Sequence, residues 1–136
     1  GTDNVEIAAM AAPRPLLVVS DGKDWTDRMP EHDLGYLQKI YGWYDVPASV
    51  SNVHLKDEGH DFGINKRIAV YDFMAKNLSL DLSAIKDASG KIDESSITIE
   101  KESMMYVFGD NGEKLPANAV KGFENAEKLF YQLKRQ

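Results

Sequence analysis

The chain has 136 residues, enough for one core but short of a large α/β sheet with all its helices. Hydrophobic residues make up 43% and charged residues 28%, a globular balance that excludes disorder, and a net charge of −6 argues against a phosphate-binding surface and hence against nucleic acid as a partner. There is no cysteine, which excludes disulfides and thiolate sites, and no apolar run nears the roughly 20 residues that cross a bilayer, so no membrane partner is expected.

The chain opens on Gly1 rather than Met, so a removed signal peptide or upstream domain would leave no trace in it. Small, helix-compatible residues from Val5 to Ala12, with Asp3 or Asn4 as cap and Pro13 and Pro15 behind, predict a short helix. Leu16 to Val19 form a continuous apolar run bounded by Pro15 and by Ser20, Asp21 and Gly22, the pattern of a strand buried on both faces. Leu34, Leu37, Tyr41 and Tyr44 recur at helical steps and predict an amphipathic helix that stops before Pro47, with both tyrosines in the core. Val50 to Leu55 read as a second strand, and Ile68, Tyr71, Ala75 and Leu78 as a helical stripe beginning near Asn65. Strand, helix, strand, helix with such connections implies a parallel pair.

From 81 to 96 the chain is rich in Asp, Ser and Lys and reads as a linker. Ile97 and Ile99, then Met105, Val107 and Phe108, predict two short strands, hence a β-hairpin-like extension. Gly109 to Gly112 read as a turn, and Val120, Phe123, Ala126, Phe130 and Leu133 as one face of a final helix after Pro116. The expected organisation is therefore an α/β region at 1–80, a linker at 81–96 and an extension at 97–136 packed on the first region.

Open α/β sheets leave their ligand crevice at the carboxyl ends of the strands. Two loops lie there, Ser20-Asp21-Gly22-Lys23-Asp24-Trp25 and Asp57-Glu58-Gly59-His60-Asp61-Phe62-Gly63. Neighbouring parallel strands run about 4.8 Å apart, so Asp24 and His60 can hydrogen-bond and supply the acid and base of a nucleophilic triad. Asp21, at the strand end, is the alternative acid. Asp61 reads as a loop cap, and Trp25 as a residue lining a substrate pocket. His54, Asp57 and His60 carry metal-ligating groups, but three-residue steps along extended chain do not converge on one ion, so no metal is expected.

These residues resemble a known family, the α/β-hydrolases, and within it the acetyl-xylan-esterase-like and dienelactone-hydrolase-like branch. The resemblance runs from about Glu6 to Leu78 and is carried by Ala12-Pro13-Arg14-Pro15-Leu16-Leu17, Lys23-Asp24-Trp25-Thr26 and Glu58-Gly59-His60-Asp61. It implies that the chain is a C-terminal fragment of that fold, with parallel strands and flanking helices, in which Asp24 is the acid and His60 the base. The segment from Ile97 onward is similar, less specifically, to the C-terminal extension of some esterase-like proteins.

The family's nucleophile lies in a Gly-x-Ser-x-Gly elbow, and no such pentapeptide occurs in this sequence. The resemblance thus implies the acid–histidine portion of a serine carboxylesterase, with carbohydrate acetyl esterases among the activities it suggests, that is inactive alone and needs no cofactor. Its expected partners are a small-molecule or carbohydrate ester and either the missing N-terminal part of the polypeptide or a second copy. The resemblance goes with a periplasmic or secreted setting and leaves a cytoplasmic one open. The alternatives are a non-catalytic binding or assembly module derived from the same fold, and an unrelated small α/β ligand-binding domain.

Overall fold

A computed structural model describes residues 1–135, which fall into two compact units, Gly1–Glu94 and the described residues from Ser95 onward. In the first unit the order is α1 (Asn4–Ala9), β1 (Leu16–Asp21), α2 (Leu34–Gly42), β2 (Val50–Leu55) and α3 (Ile64–Leu78). A capping box starts α1. Asp3 Oδ1 accepts from the amides of Val5 and Glu6, both at 2.9 Å, while Glu6 reaches back to the Asp3 amide, so donors that lack helical partners are satisfied.

β1 and β2 pair in parallel, from Leu16 opposite Val50 to Asp21 opposite Leu55, with no stagger. Both strands therefore end at the same level and release their loops side by side. The core lies where α2 meets this pair, with Leu37 and Tyr41 buried beside Val50, Met29 and Ala9. The buried Tyr41 hydroxyl donates to the Arg14 carbonyl at 2.8 Å, which satisfies the polar tip of a core aromatic. Tyr44 departs from the expectation: it lies beyond the end of α2 and is 54% exposed. A π-type turn at Met29–Asp33 leads directly into α2, and Asp45, at a φ of 60°, carries the chain away after it.

Residues 81–94 belong to the first unit and are held on α3 by Glu94. The Arg67 guanidinium grips this carboxylate through Nε at 2.8 Å and Nη2 at 2.5 Å, and the Tyr71 hydroxyl adds a third bond at 2.8 Å. Such a two-pronged pair has a geometric specificity that a lone lysine lacks.

The second unit corrects the sequence reading. The β-hairpin expected at Ile97–Phe108 does not form; the segment contains a 3-10 turn at Glu102–Met105 instead. The apolar pairs there are separated by Glu100, Lys101 and Glu102, and no described strand lies beside them, so alternation has no face to bury. The predicted turn is present, with Gly109 and Gly112 both at positive φ, where glycine carries no Cβ penalty. The last helix, α4 (Phe123–Leu133), starts later than its hydrophobic spacing implies. Gly122, at a φ of 80°, sets its first turn and leaves Val120 outside. Among the described residues no helix is long and apolar enough to cross a membrane.

Candidate active site

The two strand-end loops are stitched to each other. The Gly22 amide donates to the Leu55 carbonyl at 3.1 Å and the Lys23 amide to the Glu58 carbonyl at 3.0 Å. The approach requires glycine, because a Cβ at Gly22 would lie 2.0 Å from the Lys56 carbonyl oxygen. Asp24 and His60 emerge from opposite sides of this seam.

One oxygen of Asp24 is used locally. Oδ1 accepts from the Thr26 amide at 2.7 Å and the Thr26 hydroxyl at 2.5 Å, and that hydroxyl oxygen accepts the Asp21 amide at 2.8 Å. The carboxylate is thereby tied to the end of β1. The other oxygen, Oδ2, faces His60 Nδ1 at 3.3 Å. An ionised carboxylate only accepts, so a hydrogen bond at this contact requires the proton on Nδ1, the tautomer that leaves the Nε2 lone pair free. The distance is longer than a tight charge-assisted bond, and sites without substrate commonly show such looseness. The Asp24 side chain is only 5% exposed and that of His60 is 67% exposed, so the carboxylate is enclosed while the imidazole faces outward. Trp25 lies against the imidazole with ring centroids 4.3 Å apart.

The carboxyl of Asp24 is held below the usual aspartate value, chiefly by the Thr26 hydroxyl; burial opposes this, and the Thr26 amide and His60 add to it. A depressed carboxyl stabilises the fold at pH above its unfolded value of 3.8, and that contribution is lost as pH falls through the lower folded value. Thr26→Val keeps the side-chain shape but removes the hydroxyl. It is expected to be less stable than wild type near neutrality, with a shallower further loss below about pH 4. Denaturant midpoints at about pH 6 and about pH 3 measure this; equal midpoint losses in both proteins would contradict the role given to Thr26.

Asp21 turns to another partner. Its Oδ1 lies 3.1 Å from the Lys66 ammonium, inside ion-pair range though off the angle of a directed hydrogen bond. Asp61 caps its loop, accepting the Gly63 amide at 2.8 Å and Lys66 Nζ at 2.6 Å. Its carboxyl is lowered mainly by that lysine. His54 Nδ1 lies 2.9 Å from Ser20 Oγ, which also receives Asn52 Nδ2 at 2.9 Å. Ser20 is wholly buried and so is no candidate nucleophile. His54, Asp57 and His60 do not converge, and among the described residues no group of three or more His, Asp or Glu could hold a metal ion.

A cavity of about 260 Å³ lies over the pair, lined by Asp24, Trp25, His60, Phe62 and Lys66. A second, of about 350 Å³, lies on the other side of Trp25 and Thr26, against Met29 and Leu37. Trp25 thus borders both. Thr26 and Lys66 escaped the sequence reading. The Asp-x-Thr spacing was a usable turn signal for Thr26, whereas nothing local marks Lys66.

No family model and no curated protein matches the chain. A solved structure does: Methylesterase BT1017 aligns with the whole chain at 52% identity and a TM-score of 0.73. The chain covers 30% of that protein. With its parallel strands, flanking helices and this degree of identity, the chain is related to an esterase and has the corresponding local fold.

Proposed function

We propose that this chain is the acid–histidine portion of an α/β-hydrolase-type serine carboxylesterase, with Asp24 as acid and His60 as base. The observation that carries the proposal is the Asp24 Oδ2 to His60 Nδ1 approach at 3.3 Å beneath an outward-facing imidazole. The 52% identical structure is by its name a methylesterase, which favours a methyl ester over the acetyl ester that the sequence resemblance suggested. The alcohol released is then methanol, and the substrate, a small molecule or a carbohydrate, keeps a carboxylate.

A serine outside this chain attacks the ester carbonyl while His60 Nε2 takes its proton. The tetrahedral intermediate collapses as the imidazolium returns that proton to the departing methoxide. Water then attacks the acyl-enzyme, again with His60 as base, and releases the acid and the serine. Throughout, Asp24 holds Nδ1–H and stabilises the imidazolium. Trp25 forms the wall against which the ester group lies.

A chimera tests this reading. This chain replaces the matching segment of Methylesterase BT1017, and methyl-ester hydrolysis is followed. Turnover by the chimera that is lost on His60→Ala is the expected result, with no turnover of p-nitrophenyl acetate by this chain alone. Clear turnover by the chain alone, or an active His60→Ala chimera, would overturn the assignment.

One observation favours a second reading, an assembly module. The sheet has two described strands, β1 and β2, so each has an outer edge without a described strand partner, and such edges invite pairing with another chain. Sedimentation of the chain at micromolar concentration distinguishes a second copy as that partner, giving a dimer, from a monomer.

A further inference from the structure

We infer that Lys66 is the positioning residue of the base: its buried ammonium clamps both chain neighbours of His60 to the end of β1 and so holds the imidazole over Asp24. The inference rests on the acid–base reading above.

Lys66 lies in the first turn of α3, and its side chain is 3% exposed. A buried lysine is unfavourable unless its charge is met on several sides. Nζ donates to the Gly59 carbonyl at 2.5 Å and to Asp61 Oδ1 at 2.6 Å. Gly59 and Asp61 are the residues on either side of His60. The same ammonium lies 3.1 Å from Asp21 Oδ1 and 3.7 Å from Glu58 Oε2. Burial works against the charged form, yet the hydrogen bond to Asp61 and the facing Asp21 carboxylate outweigh it and raise the lysine above its ordinary value.

Asp21 is the fixed end of this arrangement. It is the last residue of β1, is 5% exposed, and lies three positions before Asp24. Its amide is bonded to the Thr26 hydroxyl that grips Asp24, and its carboxylate faces the ammonium that grips the histidine loop. One strand end therefore references both halves of the pair. The His60 side chain, 67% exposed, has few walls of its own, so the fixing of its backbone falls to its neighbours. This also gives Asp21 a use other than that of acid.

The test reads which ring nitrogen of His60 carries the proton, by long-range proton–nitrogen correlation on the full chain with labelled histidine. The pH is set about two units above the ordinary histidine value, where the ring is neutral. Wild type is expected to show His60 mainly as the Nδ1–H form, and Asp24→Asn to abolish that preference. The double variant Lys66→Met with Asp21→Leu removes the buried charges together and leaves neither unpaired. In it the ratio of Nδ1–H to Nε2–H forms is expected to fall about 10-fold, the ratio that one ordinary hydrogen bond is worth. Asp61→Asn, at a side chain 67% exposed, weakens one grip by removing its charge while keeping the oxygen that accepts, leaves the interior untouched, and gives a smaller fall in the same direction.

His54, bonded to Ser20 in the sheet, is the internal reference for an intact fold. An unchanged His60 ratio in the double variant, or in Asp61→Asn where the His54 signal shows the double variant unfolded, overturns the role of Lys66 and leaves the acid–base pair standing. No Nδ1–H preference in wild type overturns the pair itself, and the clamp with it.

Discussion

Asp24→Asn in the chimera is expected to lower kcat by about 10⁴-fold while KM changes little, because the substitution turns the base into its wrong tautomer. The direction follows from how Asp24 is held. The Thr26 amide and hydroxyl both donate to Oδ1, so the asparagine carbonyl oxygen takes that position and its amide group faces His60. An amide N–H pointing at Nδ1 makes that nitrogen an acceptor and moves the imidazole proton to Nε2, where the lone pair is needed. Steady-state kinetics on a methyl ester check this. A loss of less than about 10-fold would show that Asp24 does not orient the base.

Leu37→Ala is expected to cost the first unit about 2–5 kcal/mol, near the lower end of that range, and to lower its melting temperature by roughly 10 °C. Leu37 is 1% exposed and belongs to a small core whose other buried apolar members, among the described residues, are Ala9, Met29, Tyr41 and Val50, so one truncation removes a large share of the packing. The lower end applies because Leu37 already borders the cavity beside Trp25 and Met29, which lets neighbouring side chains relax into the space. Thermal denaturation measures the shift. The contrasting substitution is Ile99→Ala, at a side chain 90% exposed, which is expected to stay within about 0.5 kcal/mol of wild type.

The first unit was legible where a local pattern and a tertiary demand coincide. The apolar run Leu16 to Val19 reads as a strand because it is short, apolar and bounded by a proline and a turn, and β1 is there, but the burial expected of it is not: these four residues are half-buried, and Ser20 and Asp21 are the buried ones. The nearness of Asp24 and His60 was legible for the same reason: each follows a strand, and parallel pairing brings strand ends together. What was not legible depends on distance through space. Lys66 looks like any helical lysine until Asp21, Gly59 and Asp61 are folded around it. The closeness required at Gly22 appears only when the Lys56 carbonyl is in place.

The second unit was misread because short apolar pairs are ambiguous. Ile97 with Ile99 and Val107 with Phe108 have strand composition, but a strand needs a neighbour, and none is described there. The helix further on was correct in kind and early in start, since Phe123 to Leu133 carry the periodicity and Gly122 marks the boundary that spacing alone passes over. Tyr44 shows the same limit on a smaller scale, continuing the stripe of Leu37 and Tyr41 after the helix has ended.

The central claim is that His60 acts on a serine supplied from outside this chain. A crystal structure of the chimera after reaction with a serine-directed organophosphonate tests it most directly. The modified serine oxygen is expected roughly 3 Å from His60 Nε2, with Nδ1 still on Asp24. A labelled serine whose oxygen lies beyond hydrogen-bond reach of His60 would contradict it.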